Sequence, residues 1–292
     1  MANLKEIRNR ITSVSSTMQI TSAMKMVSAS KLKRAQDAIA QVKPYAEKLQ
    51  EILGNLSATL DLSENAYSEV RETKRVLIIG ITSNRGLCGG FNNNVIKRVN
   101  QLVNVEYKDS NPNVLCLGKK IKDVYKRTDH YYINDTIAPV EDIFGDLNFE
   151  NNAVIVESVM GLFLKNKVDK VVVVYNSFIN AASQEVKIEQ MLPILPTVQA
   201  NANGSGDYIF EPSKAEIVED LIPKSLKIQL FKGLLDSQAS EHGARMTAMH
   251  KATDNANDLR KDLKLSYNKA RQASITNEIL EIVGGAEALN GK

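Results

Sequence analysis

Apolar residues recur at alternating steps of three and four along one end of this chain. They stand at Leu4, Ile7, Ile11, Val14 and Met18, then in the same register at Leu32, Ala35, Ile39, Val42, Ala46, Leu49, Leu53, Leu56 and Leu60. Only a helix lines such positions along one face. At about 1.5 Å per residue, a helix over 4–60 spans roughly 85 Å, with Pro44 as the place for a bend, because proline removes a backbone hydrogen bond. The other end matches it. No proline interrupts Lys224 to Lys292, and its distal part reads as a seam at Met249, Ala252, Ala256, Leu259, Leu263, Ser266, Ala270 and Ala273. Many of these residues are small and permit close approach. Two such segments at opposite ends predict an antiparallel coiled coil made of the chain's own termini.

The first seam turns polar at Thr21, Lys25 and Ser28, while the apolar Met24, Met26 and Val27 fall off it. Either the register shifts locally, or the helix turns a second face toward another partner.

Between the helices the pattern changes at Arg75. Val76–Thr82, Val114–Gly118 and Val171–Tyr175 are short β-branched runs of buried strands, His130–Ile133 is a weaker one, and Gln184–Met191 alternates like an edge strand. Helical stretches lie between them, at about 93–107, through Tyr125, and about 149–165. Alternating strands and helices predict a mostly parallel, Rossmann-like α/β sheet. The predicted fold is therefore α/β: a long antiparallel coiled coil of N- and C-terminal helices (1–60 and 213–292) with an inserted α/β domain (75–212). A loop containing Pro193, Pro196 and Asn201–Gly206 precedes the return to helix, where Ser213 and Glu216 have the spacing of a capping box.

Aromatic residues make up 5% of the 292 and tryptophan is absent, which suits long helices and a compact α/β layer better than a β-sandwich. The net charge is only +3, but between Met1 and Lys43 the basic Lys5, Arg8, Arg10, Lys25, Lys31, Lys33, Arg34 and Lys43 are opposed only by Glu6 and Asp37. A second group, Arg260, Lys261, Lys264, Lys269 and Arg271, lies in the last. Both favour an acidic partner surface. No aromatic residues interleave with them to stack bases, so nucleic acid is not the expected partner. Cys88 and Cys116 have no metal-ligand spacing, and His130, His242 and His250 are scattered, so no metal, no cofactor and reduced thiols are expected. No signal peptide, membrane span or organelle presequence is expected either.

One stretch invites chemistry. Ser83–Asn92 (SNRGLCGGFN) follows a strand and precedes a helix, the place where backbone N–H groups bind phosphate. Its glycines match neither common phosphate-binding spacing, and a tight strand-to-helix crossover explains them equally. Cys88 there lacks a nearby histidine, and Glu141/Asp142 and Glu278/Glu281 are ordinary surface carboxylates. No catalytic constellation is present in the sequence.

The two ends carry a specific resemblance. Ile7-Arg8-x-Arg10-Ile11-x-Ser13-Val14 with Ile20-Thr21-x-Ala23-Met24-Lys25-Met26-Val27 resembles the N-terminal helix of the γ subunit of rotary F-type ATP synthases, bacterial type. Gly86-Leu87-Cys88-Gly89 is similar to that family's internal turn. Arg245-Met246-x-Ala248-Met249, Ala252-Thr253-Asp254-Asn255-Ala256 and Tyr267–Thr276 with Glu278 are similar to its C-terminal helix. The resemblance runs along the whole chain in order. It implies a non-catalytic rotor, one copy per complex, turning inside an α3β3 ring and resting on ε and the membrane c ring at the cytoplasmic face of the inner membrane. It implies contacts with β from Met24, Lys25, Arg245, Gln272, Thr276 and Glu278. It implies contacts with the c ring and ε from Tyr208, Phe210 and Glu211, with Phe210 standing where a tyrosine is often found. Apolar residues from Ile279 to Leu289 would suit a sliding bearing. Without that resemblance two readings compete: a coiled-coil scaffold protein with an α/β recognition head, and an enzyme holding a nucleotide in the glycine-rich turn.

Overall fold

A computed structural model of the chain describes residues 4–59, 65–138, 142–194 and 214–290. In order these form α1 (Leu4–Thr59), β1 (Val76–Ile81), α2 (Phe91–Gln101), β2 (Pro112–Leu117), α3 (Lys119–Tyr125), β3 (Tyr131–Tyr132), α4 (Phe149–Leu164), β4 (Lys170–Phe178), β5 (Gln184–Leu192) and α5 (Lys214–Asn290). Helix runs through Pro44 in α1 and through Pro223 in α5. The chain divides into two compact units, one of Met1–Ser28 with Met246–Lys292, the other of Ala29–Arg245.

In the larger unit the sheet order is β3-β2-β1-β4-β5. β1 pairs in parallel with β2 and β4, β2 with β3, and β5 closes the far edge antiparallel to β4. The period-two alternation of a strand splits the core between two faces. Leu77, Ile79 and Ile81 pack with Ile155, Val159 and Phe163 of α4 and with Ile222, Leu226, Leu230 and Leu234 of α5. Val76 and Ile78 point the other way, onto Val95 and Val99 of α2 and Ile121 and Tyr125 of α3. Burial on both faces explains why these strands read as continuous apolar runs. After Gln101, α2 widens into a π-helical turn over Leu102–Glu106, closed by Tyr107 N donating to Leu102 O at 2.8 Å.

Two glycines sit at close crossings, and at Gly118 the approach is to backbone and glycine is required. A Cβ on Gly80 would come within 2.3 Å of Ile121 Cδ1, and one on Gly118, at φ +106°, within 2.0 Å of Thr82 O. The base of the sheet is locked by Asp169. Its Oδ2 accepts from Arg75 N (2.8 Å), Lys74 N (3.2 Å) and Arg75 Nε (3.2 Å), and its Oδ1 accepts from Arg75 Nη2 (2.9 Å). Burial pushes this carboxyl up, but the bonds from Arg75 and the two backbone N–H groups outweigh it and hold Asp169 below the usual carboxylate range.

In the smaller unit the two helical ends pair antiparallel. Thr253 Oγ1 meets Thr21 Oγ1 at 2.8 Å, and Lys25 Nζ lies 3.4 Å from His250 Nδ1. Every seam position of α1 from Leu4 to Leu49 is buried or half-buried, Thr21, Lys25 and Ser28 included. The register therefore does not shift. The polar positions stay on the seam, and Ile20, Met26 and Val27 stand exposed on another face.

The seam on α5 departs from the sequence expectation. Met249 and Ala256 are buried and Ala252, Leu263 and Ala270 half-buried, but Leu259, Ser266 and Ala273 are exposed. Thr253, Arg260 and Tyr267 take their place. The helix is rotated so that Thr253 faces Thr21. Long amphipathic side chains such as Arg260 and Tyr267 can bury their stems in the seam and keep their polar tips outward.

Candidate functional site

The glycine-rich turn after β1 is sealed by its own side chains. Ser83 N donates to Asn92 Oδ1 at 2.9 Å, and Asn92 Nδ2 donates to Ser83 Oγ (2.9 Å) and Cys88 Sγ (3.1 Å). Ser83 Oγ in turn donates to Arg85 O at 2.6 Å. Ser83, Cys88 and Asn92 are buried, and burial pushes the Cys88 thiol up, so the reactive thiolate is disfavoured. Of the two readings of the turn, this geometry is that of a tight crossover.

The turn is also clamped from α5. Arg245 Nη1 bonds Glu241 Oε1 at 2.7 Å. Its Nε donates to Gly86 O at 3.3 Å, and its Nη2 donates to Arg85 O at 3.2 Å and Gly86 O at 3.3 Å. Arg245 is 7% exposed, and Glu241 and His242 are nearly as buried. Burial pushes the Glu241 carboxyl up against the pull of Arg245. Burial and the Arg245 charge together push His242 down to about 4, so its imidazole is neutral near pH 7. This knot was not anticipated from the sequence. Its only signal there is the i, i+4 spacing of Glu241 and Arg245 on one helix face.

Beside the turn, at the carboxyl ends of β1 and β2, a shallow cleft is lined by Asn84, Gly118, Lys119, Lys122 and Asp142. Asn84 accepts from Lys119 N at 3.0 Å, and Lys119 pairs with Asp142 at 3.3 Å. Among the described residues no group of three or more His, Cys, Asp or Glu could hold a metal ion, and no described helix is long and apolar enough to cross a membrane.

The other anticipated residues fall in three places. Met24 and Lys25 are half-buried on α1, Lys25 against His250, whose Nδ1 also lies 3.4 Å from Asp254 Oδ2. One ring nitrogen cannot accept from Lys25 and donate to Asp254 at once, so the tautomer selects between them. Gln272, Thr276 and Glu278 are exposed on α5; Thr276 Oγ1 returns to Gln272 O at 3.0 Å and Ser274 Oγ reaches Glu278 Oε1 at 3.4 Å. Their exposure has a simple cause. Facing residues in the helix pair sum to 274 or 275, so Leu4 faces Ala270, and α5 continues beyond it with no partner helix among the described residues. Ile275, Ile279, Leu280, Ile282 and Val283 are exposed for the same reason. Tyr208, Phe210 and Glu211 lie outside the described residues, as do Ser213 and the loop before it.

A sequence model of the family described as ATP synthase matches residues 3–289 of this chain. An ATP synthase gamma chain of Christiangramia forsetii is 62% identical over 292 residues, with 100% of each chain covered. One from Flavobacterium johnsoniae is 61% identical with the same coverage. Among solved structures, a chain of the central stalk and c ring of the Tetrahymena thermophila mitochondrial ATP synthase aligns with a TM-score of 0.58 at 26% identity, covering 80% of this chain and 99% of that one. A rotor chain of the Euglena gracilis mitochondrial ATP synthase shares the fold, with a TM-score of 0.65 at 21% identity and coverage of 93% and 98%.

Proposed function

We infer the work of this chain from its kinship: it belongs to the ATP synthase gamma-chain family. It is the central-stalk rotor subunit of an F-type ATP synthase. It couples proton flow through the membrane c ring to ATP synthesis or hydrolysis at the catalytic β subunits, by rotation. The observation that carries this is identity of 62% sustained over the full length of a gamma chain, covering both terminal helices and the domain between them.

On that footing, the helices at 1–60 and 213–292 are the shaft and 75–212 is the foot. One copy turns within an α3β3 ring, the foot meets ε and the c ring, and the complex sits at the cytoplasmic face of the membrane. Catalysis belongs to the ring and not to this chain, a reading supported by the sealed turn and by the ion-paired, hydrogen-bonded state of the buried Glu241 and Arg245. The exposed apolar residues from Ile275 to Val283 form a bearing. A rotor that must meet three equivalent subunits in turn cannot be bound tightly at any one angle, and apolar contact without fixed hydrogen bonds satisfies that requirement. Met24 and Lys25 on one helix and Gln272, Thr276 and Glu278 on the other make contacts with β that form and break. The resemblance places Arg245 with them, but in this chain its guanidinium is buried against the turn it holds. Tyr208, Phe210 and Glu211 meet the c ring and ε. Angular states that differ in free energy are what any such coupling requires.

Native mass spectrometry of the complex that co-purifies with this chain tests the assignment. One copy with three each of two larger nucleotide-binding subunits is the expected composition. A lone monomer or a homodimer would overturn it in favour of the scaffold.

A further inference from the structure

Leu87 is in an unusual state. It sits at φ +62°, in the left-handed region that favours glycine, and its side chain is 63% exposed. A non-glycine residue persists there only where its surroundings over-determine the backbone. Here they do so on both sides. The two carbonyls that precede Leu87, on Arg85 and Gly86, are bound by the guanidinium of Arg245, and the residue that follows it, Cys88, is held by Asn92. Glu241 holds the guanidinium at 2.7 Å, with both side chains largely buried, where a charge-assisted bond is strong.

We propose that Arg245 is a positioning residue whose clamp on the Arg85 and Gly86 carbonyls holds the turn in its left-handed form, so that the turn and α5 respond to load as one body. The functional half rests on the rotor reading above, because only a loaded shaft needs a turn that does not yield. Arg245 acts here through Leu87 and Cys88 and not through a group of its own at the surface.

The chain carries its own probe and control. Cys88 is buried within the turn, and Cys116 is buried in β2. In the assembled complex, maleimide labelling of Cys88 in Arg245→Ala should rise by about tenfold or more, the loss expected for a buried charge-assisted bond, while Cys116 stays protected. Leu87→Gly added to Arg245→Ala should restore part of that protection, because glycine takes a positive φ at no cost. Protons pumped per ATP hydrolysed should fall in Arg245→Ala. Unchanged labelling of Cys88, a parallel rise at Cys116, absence of rescue by glycine, or faster labelling with coupling intact would each overturn the proposal. Failure of the wild-type chain to assemble with ATP synthase subunits would instead overturn the rotor reading, and labelling of the purified chain would still decide whether the clamp exists.

Discussion

The hydroxyl of Thr253 meets the hydroxyl of Thr21 at 2.8 Å inside the seam of the helix pair. Each also reaches back along its own helix, Thr21 to Met18 O at 3.1 Å and Thr253 to Met249 O at 2.8 Å. A hydrogen bond at a heptad position orders one register over its neighbours, since sliding the helices would break the one bond that joins the two hydroxyls. Replacing one partner removes the bond across the seam and leaves the other hydroxyl with its own helix carbonyl alone. Thr253→Val should therefore cost about 0.5–1.5 kcal/mol, whereas adding Thr21→Val to Thr253→Val should cost little more. Urea midpoints of the two single variants and the double variant close this cycle.

Asp169 gives the fold an acid limit. Its carboxyl is held below the usual range, so its contribution is fully present above the unfolded carboxylate value of about 4. That contribution is lost as pH falls through the lower folded value, because the unfolded chain then binds the proton more readily. Asp169→Asn should cost on the order of 1–2 kcal/mol near neutral pH, by weakening the bonds from Arg75 and the two backbone N–H groups. It should also flatten stability below about pH 4. Urea unfolding from pH 2 to 6 on both proteins measures this.

His242 acts in a higher window. Its imidazole is held down to about 4 while the unfolded residue titrates near 6.5. The unfolded state thus binds the extra proton between those values, and stability rises with pH across that range. The term is present above about 6.5 and amounts to on the order of 3 kcal/mol. His242→Gln removes the titration, so the difference between the two pH profiles isolates it from the opposite contribution of Glu241. Parallel profiles from pH 4 to 7 would show that His242 is not buried neutral.

Two glycines should respond with opposite sign. Gly118→Ala places a Cβ against the Thr82 carbonyl at a strained φ and should cost several kcal/mol, on the order of 3 or more. Gly284 lies in α5 with open space where a Cβ would stand, so Gly284→Ala should raise local helix stability by about 0.5–1 kcal/mol. Thermal unfolding reads the first, and hydrogen exchange over the last turns of α5 reads the second.

Gln272 and Thr276 test the proposed contacts with β without disturbing the fold. Both are exposed where α5 runs past Leu4, so Gln272→Ala and Thr276→Ala should change stability by no more than about 0.5 kcal/mol. ATP-driven proton pumping by complexes carrying them should fall at unchanged assembly. Equal losses of assembly and pumping would assign these residues to folding.

Much was legible in the sequence because it depends on periodicity. A three-and-four spacing has one solution, and α1 buries or half-buries the positions that spacing names from Leu4 through Leu49. The strands declared themselves by β-branched runs, down to the alternation of β5 at the antiparallel edge. The motifs at the two ends led to the family, because several specific spacings in one order are a property of the chain itself. Tertiary structure decided which of two adjacent stripes on α5 faces inward. Three-residue and four-residue steps from Met249 are almost equally helical, and the choice of Thr253, Arg260 and Tyr267 over Leu259 and Ser266 goes with packing against the other helix, where Thr253 meets Thr21. It also decided that Arg245 grips the carbonyls of Arg85 and Gly86. Those atoms lie some 160 residues away, and a contact between a side chain and a backbone carbonyl leaves no trace in residue type, since every residue carries a carbonyl.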